Sequence, residues 1–285
     1  MQVTPLYVLV LSDVMPERRM PSFLFCLSLV WRANYGSFIF GGMIFVVLAA
    51  YLAAQFSGRQ PATVALDVGL SVIRLVLPFL VVFVAQELLS KEFERRYFLI
   101  SLSCPQARHL FLWQRFMAIS VLSYFLLIVA SLALAFVVSL VAQGYEQSTS
   151  VALGMPFWVT ILFIALDILV LTALATLLAV TASTSSFVLI GTLGFMLVAR
   201  SFAAIVELLT RNQYVVNDAE TYRQGMGLLS YLLPDLGALD VRMITLYGRM
   251  ELLPVNWPWS VLSCLAYAAA MLALAMLALN RKRFT

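Results

Sequence analysis

The sequence predicts an all-α integral membrane protein with six transmembrane helices. Three observations carry that prediction. Hydrophobic residues make up 63% of the 285-residue chain and charged residues only 11%, whereas a soluble domain has roughly 45–50% and about 25%. The mean hydropathy is +0.98. Finally, six separate stretches supply the ~20 mainly apolar residues that cross a bilayer: roughly 34–56, 66–89, 111–143, 156–182, 186–209 and 258–280. Six spans leave little chain for a soluble domain, so residues 1–285 read as a single transmembrane domain.

The N-terminal segment, 1–33, precedes the first span. Residues 3–12 are apolar, but they lack a basic start and run into Asp13 and Glu17, which does not match a cleavable signal peptide. From Glu17 to Arg32, arginines flank an apolar, aromatic middle too short to span. Such a segment is held near the headgroups and predicts an interfacial elbow helix leading into span one. Span three is long enough to tilt or protrude. Spans four and five are joined by Thr181-Ala-Ser-Thr-Ser-Ser186 and must form a tight antiparallel hairpin. The loop at 210–257 contains Leu228 to Asp240, an apolar stretch interrupted by Pro234 and Gly237. Neither residue sits comfortably inside a continuous helix, so two short, broken helices on or in the outer leaflet are expected.

Orientation follows from the Lys and Arg distribution. One face receives Arg18, Arg19, Arg32, Lys91, Arg95, Arg96, Arg108, Arg115, Arg281, Lys282 and Arg283, which is eleven of the 18. The other receives five: Arg59, Arg211, Arg223, Arg242 and Arg249. Arg74 and Arg200 fall within spans. Both termini and the loop at 90–110 are therefore expected in the cytosol. The net charge of +4 reads as topology and not as affinity for nucleic acid.

Several chemistries are excluded. Cys26, Cys104 and Cys264 form no pairable framework, and one histidine, His109, cannot supply a metal-binding cluster. The two lysines, Lys91 and Lys282, do not follow glycine, so there is no phosphate loop. No Gly-x-Ser-x-Gly elbow occurs. The chain is expected to be no enzyme and to carry no cofactor or metal of its own.

Two features remain. The first is a charged island beginning at Glu87, with Lys91, Glu92, Glu94, Arg95 and Arg96 in close succession. Phe93, Tyr97 and Ile100 fall at i, i+4 and i+7 and form one apolar stripe, which predicts a short amphipathic helix along the cytosolic membrane face. A solvated loop obeying the positive-inside rule would explain the bases. It would not explain Glu87, Glu92 and Glu94. The second feature is the set of ionisable residues inside spans: Arg74, Asp167 and Arg200. Charges at such depth are costly and face a cavity or a partner. A structural Asp167–Arg200 pair with Arg74 reaching outward is one reading, and a translocation path is the other.

Glu87 to Phe116, with Leu102-Ser-Cys-Pro-Gln-Ala-Arg-His-Leu-Phe-Leu-Trp-Gln-Arg-Phe116, resembles the first cytosolic loop of ATP-binding-cassette exporter permeases of the type-2 superfamily. That loop has an acidic helix, a Leu-Ser-x-Pro-x-x-Arg-like turn, and a basic, aromatic approach to span three. Arg95-Arg96 and Cys104 depart from its usual residues. The six spans, cytosolic termini, elbow and broken outer helices are similar as well. The resemblance implies a permease subunit in a bacterial inner membrane, paired with a second permease as homodimer or heterodimer. Separate ATPase subunits would hold ATP and Mg and dock at Glu87, Glu92, Phe93, Glu94, Arg95, Arg96 and Tyr97. It also implies that spans two and five line the path, so that Arg74 and Arg200 would favour an anionic or amphiphilic substrate. The alternative function is a polytopic assembly factor or lipid-modifying enzyme lacking a nucleotide site.

Overall fold

The structure is a computed structural model that describes residues 35–90, 108–143, 151–182, 184–211 and 234–281. Over these residues the chain is helical, with no strand. Its long helices are α1 (Tyr35–Phe56), α2 (Pro61–Ala85), α3 (Arg108–Gln143), α4 (Met155–Thr181), α5 (Ser185–Arg211) and α7 (Trp257–Arg281). A six-residue helix, α6 (Arg242–Tyr247), and a 3-10 turn (Met250–Leu252) precede α7. Five of the helices are long and apolar enough to cross a membrane: α1, α2, α3, α4 and α7. The chain is thus a multi-pass membrane protein. Helix α5 has 27 residues, and its part with described side chains, Ser185–Ser201, is apolar but shorter than a span.

Local chemistry sets the helix boundaries. Helix α2 starts at Pro61, earlier than hydropathy alone predicts, because proline fits the first helical turn, where its missing N–H costs nothing. At its other end α2 continues into a π turn, Gln86–Ser90, whose Leu88, Leu89 and Ser90 are buried. Helix α3 has 36 residues and is therefore about 54 Å long, well beyond a hydrocarbon core of about 30 Å. Helices α4 and α5 follow each other after three residues, as the short polar connection requires.

Helix α4 is the centre of the bundle. Its most apolar window is 67% buried, against 17% for α1 and α7. It packs on α7 and α2, while α1 packs on α2 and α2 on α3. Exposed apolar side chains such as Phe45, Phe125, Phe136 and Leu262 lie on the surface that acyl chains cover. Within a bilayer, moving a leucine from lipid to a helix interface gains little, so close packing and polar contacts must hold the helices together. Gly69 is the clearest case of close packing: a β-carbon there would run into Leu134 Cδ1 on α3. Gly42 allows a similar approach of α1 to Val76 and Leu80 on α2, whereas Gly41 and Gly194 face open space.

The expected pair of short helices near the outer leaflet takes a different form over the described part of that loop. Residues 234–241 form a turn and α6 adds under two helical turns, and this segment is buried in the bundle. Leu236, Leu239, Val241 and Ile244 join an apolar cluster with Phe163 of α4, Met196 of α5, and Cys264 and Ala268 of α7. The expected elbow helix at 17–32 and the island at 91–107 lie outside the described residues.

Candidate functional site: a buried chain of alternating charge

The segment at 234–247, which folds back into the bundle, is fixed by polar groups from α2 and α4. On α2, Asp67, Ser71 and Arg74 are spaced i, i+4 and i+7 and therefore share one face. On α4, Thr160 and Asp167 are likewise seven apart. The α2 stripe and Thr160 touch the segment, while Asp167 links Arg74 to Arg200 of α5.

Arg242 begins the chain of charge. Its Nη1 donates to Asp67 Oδ1 at 3.0 Å and also to Ser71 Oγ, and its Nε stands 3.4 Å from Asp240 Oδ2. Asp240 Oδ2 accepts from Arg74 Nη1 at 2.7 Å. Arg74 Nη2 donates to the Leu236 carbonyl at 3.0 Å, and its Nε is 3.7 Å from Asp167 Oδ2. Arg200 Nη2 donates to that same Asp167 oxygen. The order is Asp67, Arg242, Asp240, Arg74, Asp167, Arg200: strictly alternating and, with three acids and three bases, neutral.

Burial increases along the chain. It does so as far as Asp167: the Asp67 side chain is 45% exposed, Arg74 11% and Asp167 1%, and Arg200 at the far end is 20% exposed. The inner ions are therefore the ones whose pairing matters, because a rim pair is screened by water and contributes little. Pro78 adds polarity nearby. It has no N–H, so it cannot donate to the carbonyl of Arg74 four residues earlier.

The inner part of the chain is not saturated. Arg74 Nε, Arg200 Nε, Asp167 Oδ1 and Asp240 Oδ1 are buried without a hydrogen-bond partner. Buried polar groups in native proteins are nearly always paired, with protein or with ordered water, so each of these four atoms has capacity for a further partner. Nearer the rim, Thr160 and Thr245 lie 2.6 Å apart and both approach the Pro156 carbonyl at 3.0 Å, tying α6 to the start of α4. No group of three or more His, Cys, Asp or Glu able to hold a metal occurs among the described residues.

Arg74, Asp167 and Arg200 thus meet at one point. Asp67, Ser71, Asp240 and Arg242 are the members that sequence reading missed. The i, i+4, i+7 polar stripe on α2 was a usable signal for the first two. Nothing local marks Asp240 and Arg242, whose roles depend on the segment folding inward.

At the opposite end of the bundle, Glu87 lies half-buried in the π turn, which packs against α4 and α5. Single-turn π segments often mark functional positions. Arg115, which falls inside the expected third span, is on α3 and buried, its guanidinium 5.4 Å from the centre of the Phe111 ring. Glu92, Phe93, Glu94, Arg95, Arg96 and Tyr97 lie outside the described residues. Compared with known proteins, the chain matches no protein-family model and no curated protein.

Proposed function

We propose that this chain is the transmembrane subunit of an ATP-driven exporter. In this reading it has six spans, with α5 as the fifth, both termini in the cytosol of a bacterial cell, and an elbow helix before span one. A second permease subunit completes the path. Separate ATPase subunits, which hold the ATP and Mg, dock on a coupling helix within 91–103 and reach the bundle through Glu87 and the π turn.

The observation that carries the reading is the re-entrant segment at 234–247, held in the bundle by ion pairs with α2 and through them to α4 and α5. An exporter needs an outer face that closes and opens. A short segment anchored by exchangeable ion pairs over a partly unsatisfied polar core is suited to that task. A membrane anchor would have no use for such costly intramembrane charges. A lipid-modifying enzyme would present an acid or base to substrate at one membrane face, whereas the clustered ions here neutralise one another.

The test is affinity purification in mild detergent. A phosphate-loop ATPase should come with the chain, and reversing Glu92 and Glu94 to lysine should release it. Absence of any ATPase from the unaltered complex would overturn the exporter reading. Retention by the reversed variant, with unchanged ATPase rate, would overturn the docking site alone. Cys104 should react with an impermeant thiol reagent only from the cytosolic side.

A further inference from the structure

We propose that Arg74 and Arg200, which share Asp167, form an oxyanion-binding site inside the bundle, and that Asp240 holds its Arg74 half as an internal stand-in while the segment is seated. The ligand class is a carboxylate or phosphate group. The proposal rests on the exporter reading only in treating that group as part of the cargo.

Arg74 gives one edge of its guanidinium entirely to the segment, through Asp240 Oδ2 at 2.7 Å and the Leu236 carbonyl at 3.0 Å. Lifting the segment removes both partners together. Arg242 leaves with Asp240, so the four ions left behind are neutral overall, but Asp67 is the half-exposed outer member and Asp167 is then the one inner carboxylate for two guanidiniums, Arg74 and Arg200. That state is costly without a replacement anion. Arg74 Nε and Arg200 Nε are already buried without hydrogen-bond partners, so the site holds donors that Asp240 leaves unused. A guanidinium fork also matches the two oxygens of a carboxylate or phosphate better than a point charge does. Ligand and Asp240 compete for the same donors, so binding an anion and lifting the segment are one event.

Cys264 reports that event. It is buried in the same apolar cluster as Leu236, Leu239, Val241 and Ile244, so lifting the segment uncovers it. The experiment uses the full chain in mild detergent, with Cys26 and Cys104 changed to serine. Dodecyl phosphate, inorganic phosphate and dodecyltrimethylammonium are compared by shift in thermal midpoint and by rate of Cys264 labelling. Dodecyl phosphate should raise both. Asp240→Asn should bind it roughly tenfold more tightly, since the internal competitor no longer holds the site closed, and Arg74→Gln should abolish the response. If inorganic phosphate acts equally, the source is a free anion; if only dodecyl phosphate acts, it is an amphiphile headgroup. Both results support the site.

An equal response to the ammonium amphiphile, or a full response in Arg74→Gln, overturns it. Should Asp240→Asn fail to fold, the parent chain decides: no rise in Cys264 labelling with either phosphate overturns the proposal. Anion binding without a co-purifying ATPase would keep this site and remove the exporter reading. An ATPase without anion binding would do the reverse.

Discussion

Gly237 lies against the backbone of Arg200: a β-carbon at position 237 would stand 2.9 Å from the Arg200 carbonyl oxygen. The contact joins the turn of the re-entrant segment to α5 at the residue that also binds Asp167. A helix carbonyl cannot step aside as a side-chain tip can. Gly237→Ala should therefore displace the segment at a cost of about 1–3 kcal/mol. The thermal midpoint in detergent should fall and Cys264 labelling should rise. A lower midpoint with unchanged labelling would mean that the segment stays seated and the strain is taken up elsewhere.

Asp167 serves two arginines, while each arginine has some other relief. Arg74 keeps Asp240 and the Leu236 carbonyl, and the Arg200 side chain is 20% exposed. Asp167→Ala leaves two guanidiniums facing each other in a buried site and should cost about 3–5 kcal/mol. Arg200→Ala should cost less, because Asp167 retains Arg74 at 3.7 Å. Midpoints of the two variants, together with the yield of monodisperse protein, give the ranking. Equal losses would show that Arg74 does not support Asp167.

The five spans α1, α2, α3, α4 and α7 were legible in this chain because hydropathy is a local property. Periods of about 20 apolar residues between charged loops place the helices to within a few residues, and only α2, starting at a proline, began clearly earlier. The intramembrane ions were legible too, as rare charges in apolar runs. Their geometry was not. Whether Arg74 reaches outward to headgroups or inward to a carboxylate depends on the segment at 234–247, which is far away in sequence and enters the bundle through contacts that no local pattern encodes. Leu236, Leu239, Val241 and Ile244 read equally well as a surface segment on the outer leaflet and as the buried wedge they form. Glycine roles divided in the same way. Gly41 and Gly194 face open space, while Gly42, Gly191 and above all Gly69 sit where side chains of neighbouring helices approach closely.

The Thr160–Thr245 contact should behave as a polar latch. Three close approaches, 2.6, 3.0 and 3.0 Å, link the two hydroxyls and the Pro156 carbonyl, but two hydroxyl hydrogens can make only two bonds at once. Thr245→Val removes a donor and leaves Thr160 bonded to its own helix, so the loss should be about 0.5–1.5 kcal/mol. Thr245→Ser keeps the donor and should lose less. Denaturation midpoints measure both, and a serine variant no better than valine would assign the effect to methyl packing.

Gly69 offers a test of how the spans themselves are held. An alanine methyl there would run into Leu134 Cδ1 and stand 2.9 Å from its Cδ2, and Leu134 is fully buried. Leu134 must therefore leave its rotamer or α2 and α3 must separate. Gly69→Ala alone should cost about 1–3 kcal/mol. Leu134→Ala alone opens a cavity and should cost about 2–5 kcal/mol. In the double variant the added methyl fills part of that cavity, so the combined loss should fall short of the sum by about 0.5–3 kcal/mol. Strict additivity would place the strain of Gly69→Ala somewhere other than the α2–α3 contact. Because Asp67, Ser71 and Arg74 ride on the same helix, a separation of α2 at Gly69 should also raise Cys264 labelling, and the double variant should bring it back down.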